Sequence, residues 1–168
     1  MTIRDFTPAD LPGLCEIYNY YIENTVITFE EVPLTVEQLG KRVAAYTQDH
    51  PWLVGEENGA LVGYAYAGKW HERSAYRHSV EVSVYLRHTE RGRGHGTTLY
   101  RELLNRVSHR QCHVIIGGIA LPNEASVRLH EKFGFTKAAH YREVGWKFGK
   151  WIDVGYWQKI LPDMNQTV

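Results

Sequence analysis

The stretch RGRGHG, residues 91–96, lies between a segment of alternating polarity and an amphipathic segment. In residues 80–87 apolar side chains take every second position, which is typical of a strand with one buried face. Beyond the stretch, apolar residues recur with helical spacing at Leu99, Leu103, Leu104 and Val107. Glycines let the backbone approach an anion, and the first turn of a helix has free N–H groups. This order therefore predicts that residues 91–97 bind a phosphate.

Two common phosphate-binding motifs do not fit this loop. A P-loop requires Lys and then Ser or Thr after its last glycine, whereas Gly96 is followed by Thr97 and Thr98. A dinucleotide-binding fingerprint requires its third glycine where Thr97 stands, and an acidic residue about 20 positions further on. The alternative to another kind of phosphate site is a glycine-rich turn without a ligand.

The rest of the chain predicts alternating helices and strands. Strands are expected at residues 2–6, 52–56, 61–70, around Glu81, and at 114–121. One helix is expected to begin after residues 7–10 and to end near Glu23, and a second to span residues 36–46. Asn58-Gly59 predicts a hairpin turn. Asn123 can cap a further helix and Gly134 can end it. Two last strands are expected within residues 144–160, around a turn near Gly149.

Several segments resemble one enzyme superfamily. Arg91, Gly94 and Gly96 fit the pattern Arg/Gln-x-x-Gly-x-Gly, which resembles the pyrophosphate loop of the GCN5-related N-acetyltransferases (GNAT). Residues 123–135, NEASVRLHEKFGF, resemble the second cofactor-side helix of that superfamily. Within it the chain is most similar to the phosphinothricin and methionine sulfone or sulfoximine acetyltransferases, through segments such as IYNYYIENTVITFEE and VGWKFGKWIDVGYWQ. The similarity extends from Ile17 to Gln158 and covers nearly the whole chain.

The resemblance implies a fold and a cofactor. The expected fold is a single GNAT domain over residues 1–168, of the α/β (α+β) class. It has one central, mixed but mostly antiparallel sheet with helices on both faces, and a parallel β-α-β splay at the cofactor site. Acetyl-CoA is the implied co-substrate, without a metal. The residues expected to bind it are Val84, Tyr85, Leu86, Arg91, Gly92, Arg93, Gly94, His95, Gly96, Thr97, Asn123, Ser126 and Lys132.

Acetyl transfer to an amine needs a base, and the resemblance implies Glu81 in that role. A carboxylate beside the cofactor loop can accept the ammonium proton directly or through water. Because an unperturbed Glu has a pKa of about 4.3, this role requires a partly desolvated pocket that raises the pKa. The alternatives are a solvated carboxylate or an electrostatic anchor for the substrate ammonium.

The remaining catalytic groups follow from the same resemblance. Backbone N–H groups around Val84, Tyr85 and Leu86 are expected to stabilise the oxyanion. The superfamily usually has a Tyr where this chain has His130, so both His130 and Tyr85 are candidates to protonate the leaving thiolate. The alternative for His130 is a structural hydrogen-bond network. Glu81 and Tyr85 share a strand face but lie about 13 Å apart if the strand is regular.

The substrate residues are implied by the family's preference for small amino acids similar to glutamate or glutamine. Arg73 and Arg77 could bind the anionic groups with paired donors. Phe29 and Tyr76 would form the pocket walls next to Glu81. The alternative for each arginine is an exposed, solvated side chain. Asn123 is expected to bind the pantetheine amides, to cap its helix, or both.

Composition restricts partners and location. The formal net charge of +0 gives no electrostatic footprint for nucleic acid or an anionic membrane. Cys15 and Cys112 form no pairing motif, which indicates a reduced, cytoplasmic setting. Neither cysteine lies in a nucleophile motif, and the chain has no Gly-x-Ser-x-Gly elbow, so the sequence does not support a covalent acyl-enzyme intermediate. His109 and His113 lack further ligands in sequence, so no metal is expected. The aromatic C-terminal segment could be core or interface, and the resemblance favours a homodimer.

These observations predict an acetyl-CoA-dependent N-acetyltransferase. Its expected substrate is phosphinothricin, methionine sulfone or methionine sulfoximine. The α-amine of this substrate is expected to attack the thioester of acetyl-CoA directly, in a ternary complex. An alternative within the same class is an enzyme for another amine, such as a protein N-terminus or a polyamine. A different class is a sensor domain that binds acetyl-CoA without turnover.

Overall fold

The computed structural model describes residues 1–162 of the chain. The helices are α1 (Leu11–Asn24), α2 (Val36–Thr47), α3 (His95–Ser108) and α4 (Glu124–Lys132). The strands are β1 (Thr2–Asp5), β2 (Trp52–Glu57), β3 (Ala60–Lys69), β4 (Ser79–Leu86), β5 (Val114–Leu121), β6 (Thr136–Lys147) and β7 (Lys150–Ile160). All seven strands belong to one sheet in the order β1-β2-β3-β4-β5-β7-β6.

The sheet is mixed and mostly antiparallel, which confirms the predicted fold class. Only β4 and β5 pair in parallel among the strands of residues 1–162, and α3 forms the crossover between them. Their pairing covers Ser79–Glu81 and Val114–Ile116 and then stops, whereas β5 pairs with β7 along its whole length. Because β4 and β5 separate beyond Glu81, the sheet opens into a wedge there.

Helices pack on both faces of the sheet. On one face, α3 packs against β2, β3 and β4 through buried residues that include Leu99, Leu103 and Val82, and α4 packs against β5. On the other face, α1 and α2 cover β2 and β3, with Leu14 and Tyr64 in the core. A fully buried Leu contributes about 1.5–3 kcal/mol. The first cluster contains residues of both β4 and β5, among them Val80 and Ile115, so it holds these two strands together at the base of the wedge. No helix within residues 1–162 is long and apolar enough to cross a membrane.

Local signals in the sequence agree with the structure at most turns. Asn58 and Gly59 both have positive φ, 52° and 77°, as a type I′ hairpin turn requires. Gly134 has φ 83° directly after α4 and ends that helix. Thr35 caps α2, because its Oγ1 accepts a hydrogen bond from the backbone N–H of Gln38.

One strand differs from its prediction. The sequence placed the last two strands within residues 144–160, but β6 begins at Thr136. This strand lies at the edge of the sheet and exposes most of its side chains, so it lacks the apolar alternation that would reveal it. A register shift between Tyr141 and Gly145, with Glu143 at φ 54°, interrupts its pattern further.

Candidate active site

A cavity of about 520 Å³ occupies the wedge between β4, the glycine-rich loop and α4. Most of the residues predicted to bind acetyl-CoA line it, namely Val84, Leu86, Arg91, Gly92, Gly94, Gly96, Thr97, Asn123, Ser126 and Lys132. The fold therefore brings two segments together that lie far apart in sequence, the loop before α3 and the start of α4.

The loop is shaped to receive an anion. Gly92 and Gly94 adopt left-handed backbone conformations, with φ 78° and 83°, which turn the chain into α3. The N–H of Thr98 makes the first helical bond, to the carbonyl oxygen of Gly94. The N–H groups of residues 95–97 precede that bond, so they have no acceptor within the helix, and the helix dipole adds partial positive charge there.

The charge of the cavity wall also favours an anion. Three cationic side chains line the cavity, those of Arg91, Arg128 and Lys132, and no acidic residue of the described chain does. The Arg91 guanidinium lies 5.2 Å from the centre of the Tyr21 ring, a cation–π contact that orients it at the rim. A diphosphate would find complementary charge and free N–H donors here.

Helix α4 contributes more to this wall than the sequence analysis predicted. Ala125, Arg128 and Leu129 line the cavity together with Lys132. Their spacing places them on one helix face, and this periodicity is a signal that could have identified them. Tyr21 and Ile27 also line the cavity, but no local pattern marks them. Asn123 caps α4, because its Oδ1 accepts a hydrogen bond from the Ser126 N–H at 3.2 Å.

Two predicted cofactor residues turn their side chains away from the cavity. The Arg93 guanidinium lies 2.6 Å from a carboxylate oxygen of Glu90. His95 is buried, because it lies one and two helical turns before Leu99 and Leu103 and shares their core-facing side. Only the backbone of these two residues is available to a ligand in the cavity.

Glu81 lies where the wedge opens, on the last residue of β4 that pairs with β5. A Cβ added to Gly118 of β5 would lie 3.1 Å from Glu81 Oε1, so the glycine leaves room for the carboxylate. Burial raises the pKa of Glu81. Within residues 1–162 its carboxylate has no hydrogen-bond partner, so its oxygens are available to accept a proton.

Tyr85 packs on the same side of β4 as Glu81. The register between β3 and β4 is continuous from Val80 to Leu86, so no bulge on that side shortens the predicted separation of Glu81 and Tyr85. The Tyr85 ring contacts Tyr18 and Tyr21 at centroid distances of 5.2 and 5.1 Å. Burial raises its pKa well above the usual range, and the side chain does not line the cavity.

His130 is buried on the opposite side of the sheet, beneath β5. Its Nδ1 lies 2.8 Å from the Ser126 carbonyl oxygen, so Nδ1 carries the proton and donates it. Its Nε2 faces Gly117, the first β5 residue beyond the pairing with β4, and has no hydrogen-bond partner in the described chain. Burial lowers the pKa of His130, so the ring is neutral and Nε2 is an acceptor.

This packing makes a stability prediction for Gly117→Ala. A Cβ at residue 117 would overlap the His130 imidazole, which cannot move freely because Tyr100 and Phe135 pack against it. We expect the free energy of unfolding, measured by urea denaturation, to fall by about 1–3 kcal/mol. Gly13→Ala is the control. Gly13 lies within α1, and a Cβ there would meet the Leu61 side chain at 3.6 Å, an ordinary contact distance. Equal stability of the two variants would contradict this account.

The predicted substrate residues are not brought together with Glu81. Arg73, Tyr76 and Arg77 line a different cavity, of about 300 Å³, and are exposed. Phe29 is 40% exposed and its ring covers Gly145 on β6. Within the described chain the arginines therefore have the solvated environment that was the alternative expectation.

Comparison with known proteins places the chain in a family. The domain family described as Acetyltransferase (GNAT) domain matches residues 3–155. The chain is 40% identical over 157 residues to a phosphinothricin N-acetyltransferase of Streptomyces viridochromogenes, covering 94% of this chain and 86% of that protein. It is 37% identical to an L-methionine sulfoximine/L-methionine sulfone acetyltransferase of Salmonella typhimurium, covering 97% and 96%.

Solved structures give the same result. A phosphinothricin acetyltransferase from Sinorhizobium meliloti, solved in complex with acetyl-CoA, has a TM-score of 0.92 and 36% identity, covering 95% of this chain and 88% of that one. A ribosomal-protein-alanine N-acetyltransferase from Brucella melitensis has a TM-score of 0.94 and 41% identity, covering 96% and 100%. The predicted resemblance is confirmed at the level of the family and the fold.

Proposed function

The chain belongs to the GNAT acetyltransferase family, and on that premise we propose that it acetylates the α-amine of a small amino acid similar to glutamate or glutamine. Acetyl-CoA is the co-substrate. The names of the similar proteins suggest phosphinothricin, methionine sulfone and methionine sulfoximine as acceptors. The observation that supports the proposal is the wedge in the sheet, where the half-buried, unpaired carboxylate of Glu81 lies at the point where β4 leaves β5, and a cationic, glycine-lined cavity fills the opening.

The loop and α4 hold the diphosphate of the co-substrate in this proposal. The backbone N–H groups of residues 92–97 donate to the phosphate oxygens, and Arg91, Arg128 and Lys132 supply opposite charge. Ser126 and Asn123 lie further along the same wall, towards the open end of β4 and β5. The pantetheine arm would run along this wall, which directs the thioester towards Glu81.

Glu81 is the proposed base. The substrate arrives as an ammonium, and its nitrogen becomes a nucleophile only after it loses a proton. The raised pKa of Glu81 makes its carboxylate a better proton acceptor than an exposed Glu. The neutral amine then attacks the thioester carbon directly, with no acyl-enzyme, and the thiolate of coenzyme A leaves.

The other groups stabilise the charges that develop. Residues 84–86 belong to the part of β4 that has left β5 but still pairs with β3, so the N–H groups there that point away from β3 are available to donate to the oxyanion. Of the two candidate proton donors, Tyr85 carries a proton on its hydroxyl at neutral pH, but its ring packs against Tyr18 and Tyr21 and its side chain does not line the cavity. His130 would first have to be protonated at Nε2, which its burial opposes.

A panel of amines tests this function. Purified protein is mixed with acetyl-CoA and each amine, and the released thiol is measured. We expect thiol release with phosphinothricin, methionine sulfone and methionine sulfoximine, and little with spermidine or an alanine-ended peptide. Preference for the peptide would support the second candidate, a protein N-terminal acetyltransferase, which the name of the similar Brucella protein suggests. Absence of turnover with every amine would favour a non-catalytic acetyl-CoA sensor.

We also propose that the protein is a cytoplasmic homodimer. The hairpin of β6 and β7 exposes a group of large apolar side chains, each more than half exposed, at Tyr141, Val144, Trp146, Phe148 and Trp151. Such a patch on an edge strand favours association with a second copy. Trp146→Glu should shift the mass in sedimentation equilibrium from two chains to one. A wild-type protein that sediments as a monomer would contradict this proposal.

A further inference from the structure

A cluster of two carboxylates and an imidazole lies behind the glycine-rich loop, on the side away from the cavity. Glu57 ends β2, Glu90 ends the short 3-10 turn His88–Glu90, and His95 begins α3. His95 Nε2 lies 3.5 Å from Glu90 Oε2 and 3.7 Å from Glu57 Oε2. Three elements that are separate in sequence therefore direct one potential ligand atom each towards a common point.

The imidazole of this cluster lacks a partner. The His95 side chain is 9% exposed, and its Nε2 has no hydrogen bond within residues 1–162. The two carboxylates are partly buried as well, with 28% and 19% of the Glu57 and Glu90 side chains exposed. A buried polar atom without a partner is costly, so an unpaired Nε2 aimed at two carboxylates indicates a missing ligand.

The spacing suits a metal ion. Zinc binds imidazole nitrogen and carboxylate oxygen at about 2.0–2.2 Å, so two ligands of a tetrahedral site lie about 3.4 Å apart. The two distances from His95 Nε2, 3.5 and 3.7 Å, are close to that value. An imidazole ligand disfavours Ca²⁺ and Mg²⁺, which prefer oxygen alone. The two carboxylates would neutralise a divalent charge.

We propose that Glu57, Glu90 and His95 form a binding site for a divalent metal ion of the zinc class, with water as the fourth ligand. The ion takes no part in acetyl transfer, because the cluster lies behind the loop and does not line the cofactor cavity. By bridging β2, the turn His88–Glu90 and α3, the ion would fix the rear of the loop. The site is independent of the amine substrate.

Arg93 is the internal competitor for this site. Its Nη1 lies 2.6 Å from Glu90 Oε2, and its Nη2 lies 3.5 Å from Glu57 Oε2, the same oxygens that would bind the metal. The Arg93 side chain is 56% exposed and can move into solvent. The amino group of Met1 contacts the other oxygen of Glu57, Oε1, at 3.5 Å and leaves Oε2 free. Removal of the Arg93 guanidinium should therefore strengthen metal binding.

The test is titration of the whole protein with ZnCl₂ by calorimetry, and with CoCl₂ by visible absorption, in the absence of acetyl-CoA. We expect one ion per chain and an intense four-coordinate cobalt spectrum. Glu57→Gln and Glu90→Gln should each weaken binding about tenfold or more, and His95→Gln should abolish it. Arg93→Ala should tighten it. Circular dichroism of each variant checks that the fold is retained.

His140→Gln is the matched control, because His140 Nε2 lies 2.7 Å from Asp153 Oδ2 and represents an exposed histidine–carboxylate pair outside the cluster. It should leave zinc affinity unchanged. The proposal is overturned if the wild type binds no stoichiometric ion, if folded His95→Gln retains the affinity of the wild type, or if Arg93→Ala weakens binding.

Discussion

Glu81→Gln should lower kcat by about 10²–10⁴-fold while leaving the Kd for acetyl-CoA unchanged. The amide has nearly the shape of the carboxylate but cannot accept the ammonium proton. Glu81 also lies outside the cavity wall that is proposed to bind the diphosphate, so cofactor affinity should not depend on it. The measurements are steady-state kinetics with methionine sulfone and calorimetric titration with acetyl-CoA.

The pH profile gives this prediction a sign. Burial raises the pKa of Glu81, and only the ionised form can act as the base, so kcat/KM of the wild type should fall as pH falls through that raised pKa. Glu81→Gln should lose this acidic limb.

A group with a raised folded-state pKa stabilises the fold at low pH and loses that contribution as pH rises, so the Glu81→Gln variant should be no less stable than the wild type at neutral pH.

The matched control is Glu72→Gln, because its side chain is 89% exposed on the segment before β4. It should leave both kcat and the pH profile unchanged. If Glu81→Gln retained wild-type kcat with the same acidic limb, Glu81 would not be the base.

Thr97→Glu should raise the Kd for acetyl-CoA about 100-fold or more. Thr97 lines the cavity in the first turn of α3, so the new carboxylate would lie close to the diphosphate. Two like charges about 5 Å apart repel by about 3 kcal/mol at an effective dielectric constant of about 20. The same substitution should not unfold the protein, since a negative charge in the first turn of a helix is favourable by about 0.3–1 kcal/mol.

Thr98→Glu is the control for this variant. It adds the same charge one residue later, but Thr98 is exposed and does not line the cavity. Calorimetric titration should show a much smaller loss of affinity than for Thr97→Glu, and thermal melting should show both variants folded. Equal affinities of the two variants would mean that the diphosphate does not lie over the first turn of α3.

The strands and helices around the glycine-rich loop could be predicted from the sequence because their apolar residues are the ones that the fold buries. The alternation of residues 80–87 is visible because Val80 and Val82 are buried beneath α3, while Glu81 and Ser83 lie on the other side. The four apolar residues that predicted α3 are all buried. Asn58-Gly59 fixes its hairpin by backbone conformation alone. At these places a short segment contains the whole signal.

Other features depend on contacts between distant segments. The edge position of β6 removes the apolar pattern that would reveal a strand. The direction of the Arg93 side chain is set by Glu90, three residues earlier, and by Glu57, which the sequence does not link to the loop. The cluster around His95 could not be predicted either, because the fold brings Glu57 to it from a distant strand. Local sequence patterns also do not predict that Phe29 packs over Gly145 or that Arg73 lines a separate cavity, because distant segments form both environments.

The most direct test of the account is a crystal structure with coenzyme A bound. The central claim is that the backbone between Arg91 and Thr97 holds the diphosphate, so that the thiol end enters the wedge near Glu81. We expect phosphate oxygens within hydrogen-bond distance of the N–H groups of residues 92–97. A diphosphate bound elsewhere, with these N–H groups facing solvent, would contradict the claim.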